Sequence, residues 1–234
     1  MHTRRRPRIL DAFCCAGGAA LGYHNAGFEV VGVDIEAQPN YPFEFHRGDA
    51  IAFIRDHGHE FDAIHASPPC LNATALTAGN RKRPGWHDDH LDLIPPTRAA
   101  LAGIRARTGA PTVLENVQGA EVRKDLVLCG LSFGLKVFRH RYFELNGVFV
   151  LTPPHTSHKG HRVAGWRHGI HHDGDMVAVY GDGGGKGSVT DWQDAMDIHH
   201  TDVRHELAQA IPPAYTEHIG EAVLDTLTVL ALTA

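Results

Sequence analysis

Short apolar runs alternate with helix-like segments over the first 145 residues of the chain. Residues 8–14, 28–34, 61–67 and 111–117 are mostly apolar and end at polar or turn-forming residues, which is the pattern of buried strands. Residues 95–107 begin with proline and are soon followed by glycine, which predicts a helix. This alternation predicts an open, Rossmann-like α/β sheet whose ligands bind at the carboxyl ends of its strands.

The pattern changes after residue 145. Residues 146–205 are rich in glycine, histidine, proline and aspartate, and only residues 176–180 predict a strand there, which indicates a small, irregular segment. From residue 206 onward, helical spacing after Pro213 predicts a C-terminal helix that packs on the sheet. The predicted organisation is therefore an α/β domain over 1–145, the small segment over 146–205 and a returning helix over 206–234.

The composition is typical of one compact domain. Of 234 residues, 43% are hydrophobic and 21% are charged, which is enough to bury a core without disulfides. The chain has no uncharged apolar run of the roughly 18 residues that a membrane-spanning helix needs, and its N-terminus lacks a signal-peptide pattern. The four cysteines form no Cys-x-x-Cys pair, which argues against a disulfide framework or a cysteine zinc cluster. We expect a monomeric, cytoplasmic protein.

The charges are unevenly distributed. The formal net charge is −5, and residues 173–234 hold eleven acidic and two basic residues, so this part carries −9 and residues 1–172 carry +4. The overall charge argues against a protein that coats nucleic acid. The basic clusters of the first three quarters are nevertheless candidates for contacts with phosphate.

A glycine turn follows the first predicted strand. Residues 15–18, Cys-Ala-Gly-Gly, open a short helix that Gly27 closes, and Asp34 stands at the end of the next strand, where it can bind ribose hydroxyls. The dinucleotide fingerprint G-x-G-x-x-G is absent, so a nucleoside-bearing cofactor other than NAD is favoured. A tight turn without a ligand explains this segment equally well.

A second candidate site lies where two other strands end. The 61–67 strand runs into Pro68, Pro69 and Cys70, and a rigid proline pair holds such a cysteine exposed at the edge of the sheet. Glu115 ends the neighbouring strand at the same edge, where a carboxylate is costly unless it has a partner or a function. The other three cysteines have the surroundings of inert core residues: Cys14, Cys15 and Cys129.

Taken in order along most of the chain, these residues resemble the DNA cytosine-5 methyltransferase family. Residues 11–18 resemble its first motif, Pro69-Cys70 its nucleophile, residues 115–117 its Glu-Asn-Val strand and residues 139–141 its Arg-x-Arg strand. The resemblance implies S-adenosylmethionine as cofactor and DNA as substrate, with Asp34 as the ribose-binding acid and Asp49 near the adenine amino group. The cofactor-binding residues that it implies are Asp11, Phe13, Cys15, Ala16, Gly17, Gly18, Asp34, Ile35, Asp49, Ala50 and Pro68.

The catalytic residues that the resemblance implies act together on one cytosine. The Cys70 thiolate attacks C6 and so activates C5, Glu115 stabilises the charge at N3, and Arg141 holds O2. Arg139 either supports Arg141 or packs against the loop, and the base that removes the C5 proton is not identified and could be water. The cytosine must leave the base stack, and residues 71–93 resemble a loop that closes over it. The implied catalytic set is Pro69, Cys70, Glu115, Asn116, Arg139 and Arg141.

Three positions depart from the family pattern. Cys15 stands where glycine is usual, Leu71 stands where glutamine follows the nucleophile, and residues 209–213, Gln-Ala-Ile-Pro-Pro, replace a Gln-x-Gly-Asn motif. The first and third departures touch the cofactor pocket and bear on which group is transferred. Two rival interpretations stay open: an enzyme that modifies free pyrimidine nucleotides or transfers another group, and a non-catalytic DNA-binding or cofactor-binding protein.

The segment that would recognise DNA is small. About sixty residues separate Arg141 from the final motif, which predicts short or relaxed recognition. Residues 153–173 carry six histidines, which we expect to face DNA or solvent. We expect no metal site, because the histidine spacing is irregular and no cysteine lies nearby in the sequence. The predicted DNA contacts are Arg81, Lys82, Arg83, Lys159, Arg162, Arg167 and Lys186.

Overall fold

The computed structural model describes residues 5–69, 91–181 and 187–233. Within them, seven strands form one sheet: β1 (Arg8–Ala12), β2 (Glu29–Asp34), β3 (Glu44–Arg47), β4 (Ala63–Ala66), β5 (Thr112–Val117), β6 (Leu126–Leu128) and β7 (Arg141–Asn146). A separate hairpin consists of β8 (Gly165–Arg167) and β9 (Ile170–His172). The helices are α1 (Gly18–Ala26), α2 (Ala50–His57), α3 (Ile94–Thr108), α4 (Val189–Met196), α5 (Arg204–Gln209) and α6 (Pro213–Thr233). Short 3-10 turns cover Gly58–Glu60 and Gly130–Phe133.

The sheet has the order β3-β2-β1-β4-β5-β7-β6. Strands β1 to β5 pair in parallel, and β7 runs antiparallel to both of its neighbours. The chain moves outward from β1 to β2 and β3, then returns to place β4 on the other side of β1, so the connections diverge above the carboxyl ends of β1 and β4. In open α/β sheets a ligand crevice forms at such a switch point. The predicted Rossmann-like α/β sheet is confirmed.

Both faces of the sheet are covered, which explains why its central strands are continuous apolar runs. Successive residues of β1 point to opposite faces, so Ile9 packs with α1 and α6 while Leu10 packs with α2 and α3. A third apolar cluster is centred on Trp192 and Met196 of α4, and it includes Val137 and Leu207. No helix in the described part of the chain has the length and apolar character needed to cross a bilayer.

Helices α1 and α6 approach closely through small residues. A Cβ atom on Gly22 of α1 would lie 2.0 Å from the Pro213 carbonyl oxygen, and one on Gly220 of α6 would lie 2.8 Å from the Ala26 Cβ. The Thr216 hydroxyl of α6 donates a hydrogen bond of 2.8 Å to the Ala19 carbonyl oxygen of α1. This contact fixes the helix that begins at the glycine turn, and so it also fixes the turn.

The segment over 146–205 differs from its prediction. Residues 176–180 do not form a strand; Met176 makes one isolated bridge with Val163, and Val177 N–H donates to the Lys136 carbonyl oxygen over 2.7 Å. Met176, Ala178 and Val179 are buried, so the apolar run reflects burial against the neighbouring chain rather than a ladder of strand pairs. The hairpin and helices α4 and α5 were not predicted.

Replacing Gly22 by alanine tests the helix contact. Because the added methyl group would overlap the Pro213 carbonyl oxygen, we expect Gly22→Ala to lower the free energy of unfolding by about 1–3 kcal/mol. Urea unfolding followed by circular dichroism measures the change.

Gly103 of α3 is the matched control, since a Cβ there meets no atom within 4 Å. Gly103→Ala should raise the free energy of unfolding by about 0.5–1 kcal/mol, the ordinary preference for alanine over glycine in a helix. Equal effects at the two positions would show that the α1–α6 contact is not tightly packed.

Candidate active site

The chain that leads to Cys70 is fixed at the carboxyl ends of β4 and β5. Asn116 of β5 donates from Nδ2 to the Pro68 carbonyl oxygen over 2.9 Å, and Ser67 N–H donates to the Ala12 carbonyl oxygen over 3.1 Å. Pro68 is buried and Pro69 is exposed. Cys70 is the next residue in the sequence, and it lies outside the described residues. The same holds for Leu71, Arg81, Lys82, Arg83 and Lys186.

Glu115 and Arg141 meet across the β5–β7 pair. Arg141 Nε lies 2.8 Å from Glu115 Oε1, and the Glu115 residue is only 5% exposed. The N–H of Nε is not aimed at that oxygen, which makes no aligned hydrogen bond in this part of the structure. The two groups are therefore in close buried contact, and Glu115 Oε1 has no aligned hydrogen-bond partner among the described residues.

Burial determines the protonation of Glu115. Removal from water raises the pKa of this carboxyl above its ordinary value, and the positive charges of Arg141 and then Arg139 only partly oppose the rise. A buried carboxyl with a raised pKa holds a proton at a higher pH than an exposed one. Such a group can donate a hydrogen bond to an acceptor atom of a bound ring and receive its developing charge.

Arg139 is engaged with main-chain groups. Its guanidinium donates to the carbonyl oxygens of Val179 (2.9 Å), Ala208 (2.6 Å) and Ala210 (2.9 Å). Its own carbonyl oxygen accepts from the Tyr215 hydroxyl over 2.9 Å, and its φ of 25° lies in the left-handed region. Of the two roles left open for Arg139, these contacts favour packing that holds the neighbouring chain.

The glycine turn after β1 has a left-handed backbone at several positions. Phe13, Cys15 and Gly17 have φ values of 60°, 44° and 88°. Cys15 N–H donates to Asp34 Oδ2 and Glu36 N–H donates to Asp34 Oδ1, each over 3.0 Å. The Asp34 carboxylate thus joins the turn to the end of β2, the place predicted for a ribose-binding acid.

The remaining predicted cofactor residues surround this turn unevenly. Ile35 is 64% exposed beside Asp34, and Phe13 is half-buried. Asp49 is exposed and caps α2, where its Oδ1 accepts from Ala52 N–H over 2.7 Å. Ala50 is buried. Two residues of the turn contact the C-terminal part of the chain: the Ala16 carbonyl oxygen lies 2.7 Å from His200 Nε2, and a Cβ on Gly18 would lie 2.5 Å from the Ile211 carbonyl oxygen.

Asp11 lies beneath the turn and is fully buried. Burial and the nearby charge of Asp34 raise its pKa well above the ordinary value, so Asp11 keeps its proton to a higher pH than an exposed aspartate does. Neither carboxyl oxygen makes a well-formed hydrogen bond, although the Tyr41 hydroxyl lies beside the group and opposes part of the rise. His65 on β4 is also buried, which lowers its pKa to about 3, and its Nδ1 lies 3.0 Å from the Tyr23 hydroxyl.

The histidine-rich segment has a cysteine next to it in space. Cys129, which follows β6, lies with its Sγ 3.3 Å from His158 Nε2, and His140 and His155 lie against the same group. We expected no metal here because no cysteine is nearby in the sequence, but the fold brings Cys129 to these histidines. Two of the predicted DNA contacts, Lys159 and Arg162, are exposed, and the Arg167 side chain lies outside the described part.

One cavity near the site was not predicted from the sequence. Arg141 lines an open cavity of about 390 Å³ together with Val163, Val179 and Tyr180. Three of these residues belong to the segment over 146–205, so this segment forms one wall beside the Arg141 guanidinium. Residues 176–180 were singled out by their apolar character, but nothing in that pattern indicates which side chain faces Arg141.

Comparisons with known proteins agree on the fold. No protein-family model matches the chain, and no curated protein sequence matches it. The structure of the S. pombe Dnmt2 methyltransferase has a TM-score of 0.57 at 13% identity, covering 98% of this chain and 100% of that one. The Entamoeba histolytica methyltransferase EhMeth gives a TM-score of 0.61 at 11% identity, covering 96% and 99%. The chain therefore has the Rossmann-like fold found in these methyltransferases.

A SAM-dependent methyltransferase from Agrobacterium tumefaciens is also similar in part. It has a TM-score of 0.34 at 21% identity, covering 50% of this chain and 40% of that one. The fold comparison depends on the two methyltransferases that match over nearly the whole chain.

Replacing Asp11 by asparagine tests the buried carboxyl. An unfolded carboxyl titrates near pH 4, and folded Asp11 keeps its proton to a higher pH, so stability falls as pH rises between these two values. Asp11→Asn removes this loss. We expect the variant to be more stable than wild type at pH 7, and the difference to shrink toward pH 4, where both states of the wild-type carboxyl are protonated.

Urea unfolding at several pH values measures this effect. Asp56→Asn, which changes an exposed carboxyl on α2, is the control and should change stability little at either pH. A stability difference between wild type and Asp11→Asn that does not depend on pH would show that Asp11 is ionised in the folded protein.

Proposed function

We propose that the protein is a DNA cytosine-5 methyltransferase that uses S-adenosylmethionine. The observation that carries the proposal is the buried contact between Glu115 and Arg141, next to Asn116, which holds the Pro68 carbonyl oxygen two residues before Cys70 in the sequence. A buried carboxyl with a raised pKa beside a guanidinium suits a reaction that adds a nucleophile to a neutral heterocycle, and Cys70, which follows Pro69 in the sequence, would supply that nucleophile.

The residues around the glycine turn fit a nucleoside-bearing cofactor. Each Asp34 oxygen already accepts one backbone hydrogen bond, and a carboxylate oxygen has a second lone pair for a ribose hydroxyl. The exposed Ile35 next to it offers an apolar surface to a purine ring. S-adenosylmethionine, when bound, supplies an electrophilic methyl group. Asp34, Ile35 and the turn at Cys15 would hold and orient it.

The protein's own residues would prepare the cytosine. The Cys70 thiolate forms a bond to C6, and the electron pair of the C5–C6 double bond becomes available at C5 for attack on the methyl carbon. Negative charge develops toward N3 during this addition. A protonated Glu115 would donate a hydrogen bond to N3, which stabilises that charge in a site shielded from water.

Arg141 would act on the other side of the ring. Its guanidinium would donate to O2 of the cytosine, and its position at the wall of the 390 Å³ cavity leaves room for a group beside it. Asn116 has a positioning role, since its bond to the Pro68 carbonyl oxygen holds the chain that leads to Cys70. After methyl transfer, water would remove the C5 proton, and elimination would release the Cys70 thiolate.

DNA would bind next to the segment over 146–205. Lys159 and Arg162 are exposed cations, and the β8–β9 hairpin exposes Trp166 and Ile170, each at 62%. Cations contact phosphate, and exposed aromatic rings stack on bases. Because a stacked cytosine does not expose C6 to a nucleophile, the target base must turn out of the duplex.

Mass spectrometry of nucleosides tests the reaction. Unmethylated DNA incubated with S-adenosylmethionine and wild-type protein should yield 5-methylcytosine, and the Cys70→Ala variant should yield none. Parallel incubations with an RNA of the same sequence and with free cytidine nucleotides identify the substrate. Methylation of RNA or nucleotides but not DNA would overturn the DNA assignment, and no product from any of the three would overturn the methyl-transfer proposal.

Glu115→Gln tests the proposed proton donor. The amide keeps the shape of the side chain but cannot transfer a proton toward N3, so we expect kcat to fall by roughly 10²–10⁴-fold. Glu121→Gln is the matched control, because Glu121 is exposed and plays no part in the proposed reaction. If Glu115→Gln keeps wild-type kcat, Glu115 is not the proton donor.

Cys15→Gly tests the departure in the glycine turn. Glycine accepts a φ of 44° without the steric cost that cysteine has, so we expect a gain in stability of about 1 kcal/mol and tighter S-adenosylmethionine binding by calorimetry. Cys15→Ala removes the sulfur but keeps the backbone cost. Equal binding by the two variants would assign any gain to the lost sulfur rather than to the backbone.

A further inference from the structure

Four side chains from separate segments meet beside the Arg139–Arg141 stretch. Cys129 stands before the 3-10 turn at Gly130–Phe133, His140 immediately precedes β7, and His155 and His158 belong to the segment over 146–205. Their candidate ligand atoms all lie within 4.8 Å of one another. Cys129 is buried, His140 and His158 are half-buried, and His155 is exposed.

We propose that Cys129, His140, His155 and His158 bind one Zn²⁺ ion in a tetrahedral site. A thiolate and three imidazoles are donors that zinc prefers, and an exclusively protein-ligated tetrahedral site is typical of structural zinc. None of the four residues is needed by the proposed methyl-transfer chemistry. The site is thus separate from that reaction, although it lies next to it.

The distances fit this geometry. Zinc bonds of about 2.0–2.1 Å to nitrogen and about 2.3 Å to sulfur place tetrahedral ligands about 3.3 Å (N to N) and about 3.6 Å (S to N) apart. Cys129 Sγ lies 3.3 Å from His158 Nε2, and His140 Nε2 lies 3.3 Å from His155 Nε2. No two of the four ligand atoms lie more than 4.8 Å apart, so the widest pair needs to close by at most about 1.5 Å.

The protonation states also suit metal binding. Burial and the neighbouring imidazoles lower the pKa values of His140 and His158, so these rings are neutral, the form that binds metal. Burial raises the pKa of the Cys129 thiol, and the backbone N–H groups of Leu131 and Ser132 only partly oppose the rise, so this thiol loses its proton when zinc binds rather than before. On binding, the Cys129 S–H proton passes to solvent and a sulfur lone pair forms the bond to zinc.

The surroundings orient the ligands. The Phe138 ring stacks on His158 with ring centroids 4.3 Å apart, and the Phe138 carbonyl oxygen accepts from Gly130 N–H over 3.1 Å, next to Cys129. His140 and His155 are also stacked, with centroids 5.5 Å apart. Ligands that are held by their neighbours lose little freedom when the ion binds.

The proposed ion would join the segment over 146–205 to the strand that carries Arg141. His140 lies between Arg139, whose φ is in the left-handed region, and Arg141, which contacts Glu115. Binding His140 and His158 to one ion would fix this turn against the neighbouring segment. The zinc therefore has a structural and positioning role, and it does not contact the reacting base.

Zinc titration of untagged protein tests the site. Wild-type apoprotein, prepared with a chelator and then freed of it, should bind one Zn²⁺ per chain in competition with a chromogenic chelator. His155→Gln alters an exposed side chain and should not disturb folding. Loss of a residue that only hydrogen-bonds to a metal ligand costs about 10–100-fold in affinity, so loss of a ligand itself should weaken zinc binding by more than about 100-fold. His172→Gln, an exposed histidine outside the cluster, is the matched control and should bind like wild type.

Cobalt spectroscopy identifies the sulfur ligand. Wild type loaded with Co²⁺ should show tetrahedral visible bands and a thiolate-to-cobalt charge-transfer band in the near ultraviolet, and Cys129→Ser should lose the latter. Equal zinc affinity of wild type and His155→Gln, or the absence of a thiolate band in wild type, would overturn the proposal. Both readouts are independent of methyl transfer, so a failure here and a failure of the proposed function are distinguishable.

Discussion

The guanidinium of Arg139 connects parts of the protein that the sequence keeps apart. It binds carbonyl oxygens of Val179, Ala208 and Ala210, and hydrogen bonds with a charged donor contribute about 1.5–3 kcal/mol each. Ala208 and Ala210 lie at the end of α5, where carbonyl groups lack helical partners and attract positive charge. The next residue, Ile211, contacts Gly18 of the glycine turn. One side chain thus links the start of β7 to the turn proposed to hold the cofactor.

The carboxyl groups of this sheet have different environments, so they differ in their hydrogen bonds and in their pKa values. Asp34 stands at the edge and accepts two backbone N–H groups, whereas Asp11 and Glu115 lie in the interior with raised pKa values. An ionised carboxylate in such a place costs several kcal/mol, so these two groups hold their protons to a higher pH than an exposed carboxyl does. The sheet therefore places a hydrogen-bonded carboxylate at the turn after β1, and carboxyl groups with raised pKa values within β1 and β5.

The sequence predicted those parts of the fold whose signals are local. Strands β1, β2, β4 and β5, the glycine-terminated helices α1 and α3, and α6 after Pro213 were all found from apolar runs, caps and prolines. Strand β3 and helix α2 were not predicted; β3 has mixed polarity and little burial. Residues 176–180 were wrongly predicted to be a strand, because their apolar character reflects burial and not strand pairing. The contacts of Arg139 and the meeting of Cys129 with His158 join residues distant in sequence, so no local pattern indicates them.

The contact between α1 and α6 has a consequence for how the chain folds. The Thr216 hydroxyl donates to the Ala19 carbonyl oxygen across 197 positions of sequence, and the same two helices pack on one face of the sheet. While the chain is being synthesised, the strands exist before α6 does, so their apolar side chains on that face have no cover. Contacts between distant residues form slowly, and exposed apolar surface promotes aggregation. The face of the sheet that α6 covers is therefore completed only after this helix has been synthesised.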